Sequence, residues 1–407
     1  MLLNIESNMV TLFEKHFRKI GAVSLHFTRS MMDEINWDAR LIGIKGARGV
    51  GKTTLLLQYI KKNLQDNTEA LYVNLDDIWF SRSKLVDLAD GFTKRGGRYL
   101  FLDEVHKYPD WSREIKNIYD DYPDLKIVFT GSSMLEILNA KADLSRRAIV
   151  YHMQGLSFRE FLNFKLGTAF HKYTLNEILG KHAQHADEVL KATKPIKYFN
   201  EYLQNGYYPF FKEVPSLYHM RVEEILNMII YIELPLLRNV EIHYAQKFKK
   251  LLQVISESAP FVPNINKLSQ KIQINRNTLI AYLRYLEESG IILSLYQNNK
   301  GISKLQKPDK LYLENTNIAF AINSSKPETG NLRETFFLNQ LKHQHHVTFP
   351  KTTDFMVNET WYFEIGGKHK STKQIEQLPV DKSFLVLDNI EYGYKNRVPL
   401  WLFGFLY

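Results

Sequence analysis

Gly46-Ala47-Arg48-Gly49-Val50-Gly51-Lys52-Thr53-Thr54 is the most specific pattern in this 407-residue sequence. It fits the pattern G-x-x-x-x-G-K-[ST] and stands between an apolar run, 41–44, and a helical segment, 53–64. Glycines let successive backbone N–H groups converge on phosphate oxygens, and the start of the helix adds its positive dipole end. Lys52 would bridge the β- and γ-phosphates, and the Thr53 hydroxyl would bind Mg²⁺. We expect all nine residues to bind a nucleotide.

Short apolar runs around this loop predict the strands of a parallel sheet. They alternate with longer mixed segments, which is typical of a sheet covered by helices on both faces. The runs are 41–44, 70–74, 99–102, 126–129 and 148–151. The predicted fold class is therefore α/β, a P-loop NTPase parallel sheet with flanking helices. A helical region and a small C-terminal α/β domain are predicted to follow.

Two carboxylates close the third predicted strand. Asp103 would orient the Mg²⁺ shell, and Glu104 would act as general base on the attacking water. Adjacent carboxylates also begin many solvated loops, but their place after the phosphate loop favours the catalytic interpretation. A Glu directly after the Asp argues for hydrolysis rather than nucleotide binding alone.

Polar residues after the fourth strand are candidates to contact the γ-phosphate or the water. The sequence does not choose between Thr130 and Ser132, and a Gly-Ser turn with a helix cap at Ser132 or Ser133 is the alternative. Arg146 and Arg147 precede the fifth strand. Arg147 is the favoured candidate for an arginine finger, in the same or a neighbouring subunit, and an exposed basic pair is the alternative interpretation.

Taken together, these motifs resemble a prokaryotic AAA-type ATPase family whose members join this core to a C-terminal region of unknown function. The resemblance rests on the loop, on 102–104, 130–133 and 144–147, on 154–161, and on Asn205-Gly206-Tyr207-Tyr208-Pro209. It implies ATP binding and hydrolysis, with ATP favoured over GTP. Relatives often have Gly-Arg where this chain has Arg146-Arg147, which leaves the finger open.

Residues 266–290 predict two helices joined by a tight turn, as in a winged helix. Leu279, Tyr282, Leu283 and Leu286 recur at helical spacing and would face the core. The runs 291–296 and 310–313 predict a hairpin, and the segment that connects them would be the wing. The candidate DNA contacts are Asn275, Arg276, Asn277 and Arg284 on the outer face and Lys300, Lys304 and Lys307 on the wing. Such a helix can enter a major groove while a basic wing contacts phosphates. A packing or oligomerisation module is the alternative.

Three acids near the C-terminus are similar to the metal-binding arrangement of restriction-endonuclease-like folds. Glu334 lies on a predicted helix, and Asp354 and Glu364 lie at predicted strands. Carboxylates of this kind gather Mg²⁺ in such enzymes, and a Lys two residues after the last acid assists the nucleophilic water. That Lys is missing here. Lys368, two residues further on, is a candidate substitute, but its side chain would start beyond the predicted strand. We therefore predict a vestigial nuclease site.

The resulting domain plan has four parts. Residues 1–155 would form the AAA-type ATPase domain, with a helical lead-in over 1–38. A helical linker domain over 156–260, a winged-helix-like domain over 261–325 and a restriction-endonuclease-like domain over 326–407, which we expect to be inactive, would follow. With 44% hydrophobic and 24% charged residues, the chain has the composition of a globular multidomain protein.

Charge and cysteine content narrow the functional classes. The absence of cysteine excludes disulfides and thiolate catalysis. Most of the net charge of +9 lies in 156–330, which holds 22 basic and 16 acidic residues, and this favours an anionic partner. Without a run of 18 uncharged apolar residues or a basic, apolar leader, the chain is expected to be cytoplasmic and without a membrane partner.

These expectations combine into one functional hypothesis with two alternatives. The chain would be an Mg²⁺-dependent ATPase that couples nucleotide state to a C-terminal module binding double-stranded DNA or a protein, and it could assemble as a homo-oligomer. One alternative is a nucleotide-gated DNA-binding or interaction protein with negligible turnover. The other is an ATP-dependent nuclease.

Overall fold

The computed structural model describes residues 2–64, 67–132, 144, 146–257, 262–297, 307–323 and 327–407. It divides into two compact units, Met1–Gly155 and Leu156–Tyr407. Three residues singled out in the sequence, Ser133, Lys300 and Lys304, lie outside the described residues. Within the described ranges, no helix has both the length and the apolar character that crossing a membrane requires.

The first unit contains a parallel sheet whose strands are those predicted from the apolar runs. They are β1 (Leu41–Lys45), β2 (Ala70–Asn74), β3 (Tyr99–Asp103), β4 (Lys126–Gly131) and β5 (Ile149–His152). The five strands are hydrogen-bonded in the order β2-β3-β4-β1-β5, and every pairing is parallel. The prediction of an α/β parallel sheet is confirmed, with each strand end within two residues of its expected position.

Helices pack on this sheet because its central strands are apolar on both faces. The helices are α1 (Leu2–Ala22), α2 (Met31–Glu34), α3 (Lys52–Asn63), α4 (Leu85–Thr93) and α5 (Trp111–Asp121). Leu12 of α1, Phe92 of α4 and Ile115 of α5 join Leu71 and Leu100 of the sheet in one buried cluster. Because β1, β3 and β4 adjoin and are parallel, the residues that follow them meet at one edge of the sheet.

Helices make up the first half of the second unit. They are α6 (Phe158–Leu166), α7 (Leu175–Ala192), α8 (Pro195–Asn205), α9 (Tyr218–Met228), α10 (Leu234–Arg238), α11 (Ala245–Glu257), α12 (Ile265–Ile272) and α13 (Arg276–Glu288). A π-helical turn, Ile229–Glu233, joins α9 to α10. Capping boxes at Ser157 and Thr174 fix the starts of α6 and α7, since each side chain accepts from the third backbone N–H of its helix.

A hairpin and a second sheet complete this unit. The hairpin pairs β6 (Ile292–Leu295) with β7 (Lys310–Leu313) in antiparallel register, and α14 (Thr316–Ile322) and α15 (Thr329–Lys342) follow. The remaining strands are β8 (Val347–Thr348), β9 (Phe355–Val357), β10 (Trp361–Gly367), β11 (Ser383–Asp388) and β12 (Arg397–Pro399). Their order is β12-β11-β10-β9-β8, with β9 antiparallel to both of its neighbours.

Candidate functional site

The loop between β1 and α3 is shaped by its glycines and closes around a lysine. Gly49 and Gly51 have φ values of +83° and +102°, a left-handed backbone that glycine adopts without steric cost. Lys52 is buried at the start of α3, and its ammonium donates to the carbonyl oxygens of Gly46 and Ala47, each at 2.9 Å. The loop therefore holds a positive charge in a fixed place.

Two contacts that the sequence did not suggest hold the loop in position. A Cβ at Gly46 would lie 2.3 Å from the carbonyl oxygen of Met153, so only glycine permits the close approach to the end of β5. The buried guanidinium of Arg29 donates to the carbonyl oxygens of Val50 at 2.8 Å and Gln154 at 2.9 Å. Arg29 thus ties the phosphate loop to the segment after β5.

Asp103, at the end of β3, is buried and accepts hydrogen bonds from three hydroxyl groups. Thr53 donates to its Oδ2 at 2.6 Å, Tyr72 donates to the same oxygen at 2.7 Å, and Thr130 donates to Oδ1. Burial, and then the charge of Asp103, raises the pKa of Tyr72, so its phenol keeps its proton. A carboxylate and a hydroxyl beside one another are oxygen ligands of the type Mg²⁺ prefers. Thr53 and Asp103 therefore fit a magnesium site.

Glu104 follows Asp103 in a conformation that is uncommon for residues other than glycine. Its φ is +54°, and such local strain is typical of functional sites. Its backbone N–H donates to the Thr130 hydroxyl at 3.3 Å, and Ser132 donates to its Oε1 at 2.7 Å. The sequence left Thr130 and Ser132 as alternatives, but the structure gives each its own carboxylate: Thr130 holds Asp103, and Ser132 holds Glu104.

His106 is a further member of the site that sequence reasoning missed. Its Nε2 lies 3.5 Å from Oε2 of Glu104. Burial, and then the charges of Lys107, Lys52 and Arg48, lowers the pKa of His106 to about 4. The imidazole is consequently neutral near pH 7 and leaves the negative charge of Glu104 uncompensated from this side. Its place two residues after the general-base candidate is the signal that could have drawn attention to it.

Arg147 is engaged elsewhere on the first unit. Its Nε and one terminal nitrogen donate to the two carboxylate oxygens of Asp120 on α5, both at 2.9 Å. Arg146 beside it is exposed. A finger acting on a phosphate would have to leave this bidentate pair, so that role of Arg147 stays a prediction.

In the second unit, two of the predicted nuclease acids flank the ammonium of a buried lysine. Nζ of Lys310, on β7, lies 3.5 Å from Oε2 of Glu334 and 3.3 Å from Oδ1 of Asp354. Burial, and then the charge of Asp354, raises the pKa of Glu334 to about 7 and also raises that of Glu364. The structure thus places Asp354 near both Glu334 and Glu364, with the ammonium of Lys310 between Asp354 and Glu334.

A second lysine pairs with the third acid. Nζ of Lys370 lies 2.7 Å from Oε1 of Glu364, so Lys370, rather than Lys368, stands beside this carboxylate. Across the described part of the chain, no group of three His, Cys, Asp or Glu side chains is arranged to hold a metal ion.

The predicted DNA contacts lie on and near α13. Leu279, Tyr282, Leu283 and Leu286 are buried as predicted, whereas Arg276, Asn277, Arg284 and Lys307 are exposed. Arg276 and Lys307 line the same surface depression. Asn275 caps α13 by accepting the Thr278 N–H at 2.9 Å, and Nε of Arg284 donates to Glu288 at 2.8 Å. Arg276 and Lys307 therefore face the same depression, whereas the side chains of Asn275 and Arg284 are hydrogen-bonded within α13.

The motif at 205–209 belongs to a buried hydrogen-bond network centred on Asn317. The Asn317 amide donates to two carbonyl oxygens of α8 at 3.1 and 2.9 Å. Its Oδ1 accepts the Tyr207 N–H at 2.8 Å and the Tyr218 hydroxyl. Asn317 has no exposed surface, so this motif fixes the packing of α8 against α9 and α14.

Comparison with known families identifies two segments. Residues 38–162 match the model of an AAA domain, and residues 196–329 match that of a domain of unknown function (DUF8612). No curated protein matches the chain. The AAA match covers the phosphate loop, Asp103 and Glu104 at the end of β3, and the five strands, so the first unit has the fold of a P-loop NTPase.

Several solved structures are similar to this chain at low identity. The Walker-type ATPase PABY2304 of Pyrococcus abyssi is 12% identical with a TM-score of 0.41, covering 73% of this chain and 95% of that chain. AMPPCP-bound DnaA from Aquifex aeolicus is 16% identical with a TM-score of 0.26, and the coverages are 63% and 84%. The S. cerevisiae Hsp104–ADP complex is 14% identical with a TM-score of 0.27, and the match covers 68% of this chain and 40% of that chain.

Proposed function

We propose that the AAA domain of this chain binds ATP with Mg²⁺ and hydrolyses it. The observation that carries the proposal is the convergence of Lys52, Thr53, Asp103 and Glu104 at one edge of the sheet, inside a segment that matches an AAA domain. Together they supply the phosphate-binding cation, the two magnesium ligands and the general base that phosphoryl transfer to water requires.

The roles follow from the contacts of each side chain. The loop backbone and the Lys52 ammonium bind phosphate oxygens, and the Thr53 hydroxyl and the Asp103 carboxylate hold Mg²⁺, which neutralises phosphate charge when bound. Glu104 takes a proton from the attacking water. The water oxygen forms a bond to the γ-phosphorus, and the bond between that phosphorus and the ADP oxygen breaks. Ser132 orients Glu104 by donating to Oε1.

The proposal predicts that Lys52→Ala lowers steady-state ATP hydrolysis about 100-fold, because charge that develops on the phosphates loses a fixed cation. Phosphate release at saturating Mg²⁺ measures the effect. Lys62→Ala is the matched control, since Lys62 is exposed at the other end of the same helix. Undiminished hydrolysis in Lys52→Ala would contradict the proposal.

We propose, as a second function, that α12, α13 and the β6–β7 hairpin form a winged helix that contacts the DNA backbone. Its support is the shared surface depression of Arg276 and Lys307 within the most basic part of the chain. The nuclease alternative receives no such support, because Lys310 lies between Glu334 and Asp354.

Duplex DNA is expected to stimulate ATP hydrolysis at low salt, and the Arg276→Gln/Lys307→Gln variant is expected to bind DNA about tenfold more weakly. Log affinity falls with log salt, and each phosphate contact contributes about 0.9 to the steepness of that fall. Loss of two contacts should therefore make the dependence shallower by about 2. Lys373→Gln/Lys382→Gln, which removes two exposed lysines of the C-terminal part, is the control. Equal binding by both double variants would favour a protein partner instead.

A further inference from the structure

We propose that Tyr72 is a positioning residue for the magnesium ligands and that helix α1, through Lys19, completes the ATP site. This inference rests on the ATPase function proposed above. Helix α1 lies wholly outside the segment that matches an AAA domain, 38–162, so nothing in that match assigns it a role.

Tyr72 connects the edge strand of the sheet to the buried carboxylate. It lies on β2, is 2% exposed, and donates its hydroxyl hydrogen to Oδ2 of Asp103 at 2.7 Å. Thr53 donates to the same oxygen at 2.6 Å. A phenylalanine would fill the same apolar space, and a buried hydroxyl is costly unless it is hydrogen-bonded. The hydroxyl therefore serves to set the orientation of the Asp103 carboxylate toward Thr53.

Lys19 gives the hydrogen bond of Tyr72 a single direction. Its ammonium donates to the Tyr72 oxygen at 3.3 Å and lies 4.7 Å from the centre of the ring. An ammonium can donate but not accept, so the phenol accepts from Lys19 and directs its one hydrogen to Asp103. The donor chain thus runs from α1 to the carboxylate.

A second contact anchors α1 beside the same residue. The buried His16 accepts the backbone N–H of Tyr72 at its Nδ1, at 2.9 Å. His16 and Lys19 are three residues apart and therefore lie on one face of the helix. Helix α1 consequently holds both the backbone and the hydroxyl of Tyr72, and displacement of α1 would release the Asp103 carboxylate on one side.

The test measures metal binding rather than turnover. In the full-length chain, Mg²⁺ is titrated against a fluorescent ATP analogue, for wild type and Tyr72→Phe. We expect the Mg²⁺ concentration at half-saturation to rise about tenfold in Tyr72→Phe, as loss of a hydrogen bond to a charged group predicts. Affinity for the analogue without Mg²⁺ should stay within about twofold, since Lys52 and the loop are unchanged.

Three further variants distinguish positioning from a general structural effect. Tyr122→Phe removes a phenol that donates to Asp90 at 3.0 Å, between α5 and α4, and should leave the titration unchanged. Lys19→Met should raise half-saturation about threefold, because its bond to the hydroxyl is longer and less buried. The double variant should match Tyr72→Phe alone, since Lys19 acts through the hydroxyl.

The outcomes separate this inference from the proposed function. If wild type shows no Mg²⁺-dependent binding of the analogue, both fail. If wild type binds the analogue but Tyr72→Phe has the same Mg²⁺ half-saturation as Tyr122→Phe, the positioning role alone is overturned. The same conclusion follows if the effects of Tyr72→Phe and Lys19→Met add in the double variant. Should Tyr72→Phe not fold, Lys19→Met decides: a titration equal to wild type would overturn the inference, and the threefold rise would support it.

Discussion

Glu104→Gln is expected to lower the kcat of ATP hydrolysis about 1000-fold, within the range for removal of a general base. Glutamine keeps an oxygen that can accept the Ser132 hydroxyl, so the geometry of the site is retained. The amide cannot take a proton from water, and this is the property that the substitution removes. Single-turnover hydrolysis and equilibrium binding of ATP, measured separately, should show slow chemistry with affinity nearly unchanged.

Asp110→Asn is the matched control for this substitution. Asp110 also has a left-handed backbone, with φ of +55°, but its exposed carboxylate pairs with Arg113 on the surface. The Asp110→Asn variant should hydrolyse ATP at the wild-type rate. Wild-type turnover in Glu104→Gln would remove Glu104 from the mechanism. A wild-type protein that binds ATP with negligible turnover would instead support the nucleotide-gated alternative.

A substitution at Asn317 is expected to lower the stability of the second unit, Leu156–Tyr407. Asn317→Ala should lower the free energy of unfolding of this unit by about 4 kcal/mol, because several buried donors and acceptors lose their partner at once. Those groups include the Tyr207 N–H, the Tyr218 hydroxyl and two carbonyl oxygens of α8. Hydrogen exchange of the amides in α8 and α14, followed in the intact chain, reports this loss directly.

Asn266→Ala serves as the comparison because the Asn266 side chain is exposed on α12. Its effect should remain within about 0.5 kcal/mol, as for most surface substitutions. If exchange in α8 is equally fast in both variants, the network around Asn317 does not hold these helices together.

The sequence alone predicts the sheet and the phosphate loop because both depend on patterns of neighbouring residues. The apolar runs show where strands lie, and the glycine spacing shows where the backbone must turn. Asp103 and Glu104 follow from the position of one strand end. The pair Thr130 and Ser132 shows a limit of such reasoning. Residues two apart along an extended chain share a face, so both reach the site, and neither excludes the other.

Contacts between distant segments explain what the sequence did not predict. Tyr72 reaches Asp103 across 31 positions, and Arg29 reaches Gln154 across 125. Nothing in the periodicity of α1 distinguishes Lys19 from the other basic residues on its surface. Likewise, the sequence suggested Lys368 as the lysine beside Glu364, but the structure places Lys370 there. Which lysine reaches Glu364 depends on the path of the chain after β10, and residue spacing does not determine that path.

The placement of Lys310 also bears on how this protein could have been assembled from smaller pieces. The lysine belongs to the hairpin strand β7, whereas Glu334 and Asp354 belong to the helix and sheet that follow it. A gene fragment starting at codon 326 would encode both acids without the cation between them, and an uncompensated buried charge is strongly destabilising. Only a recombination that transfers the hairpin and the C-terminal sheet together keeps these two contacts.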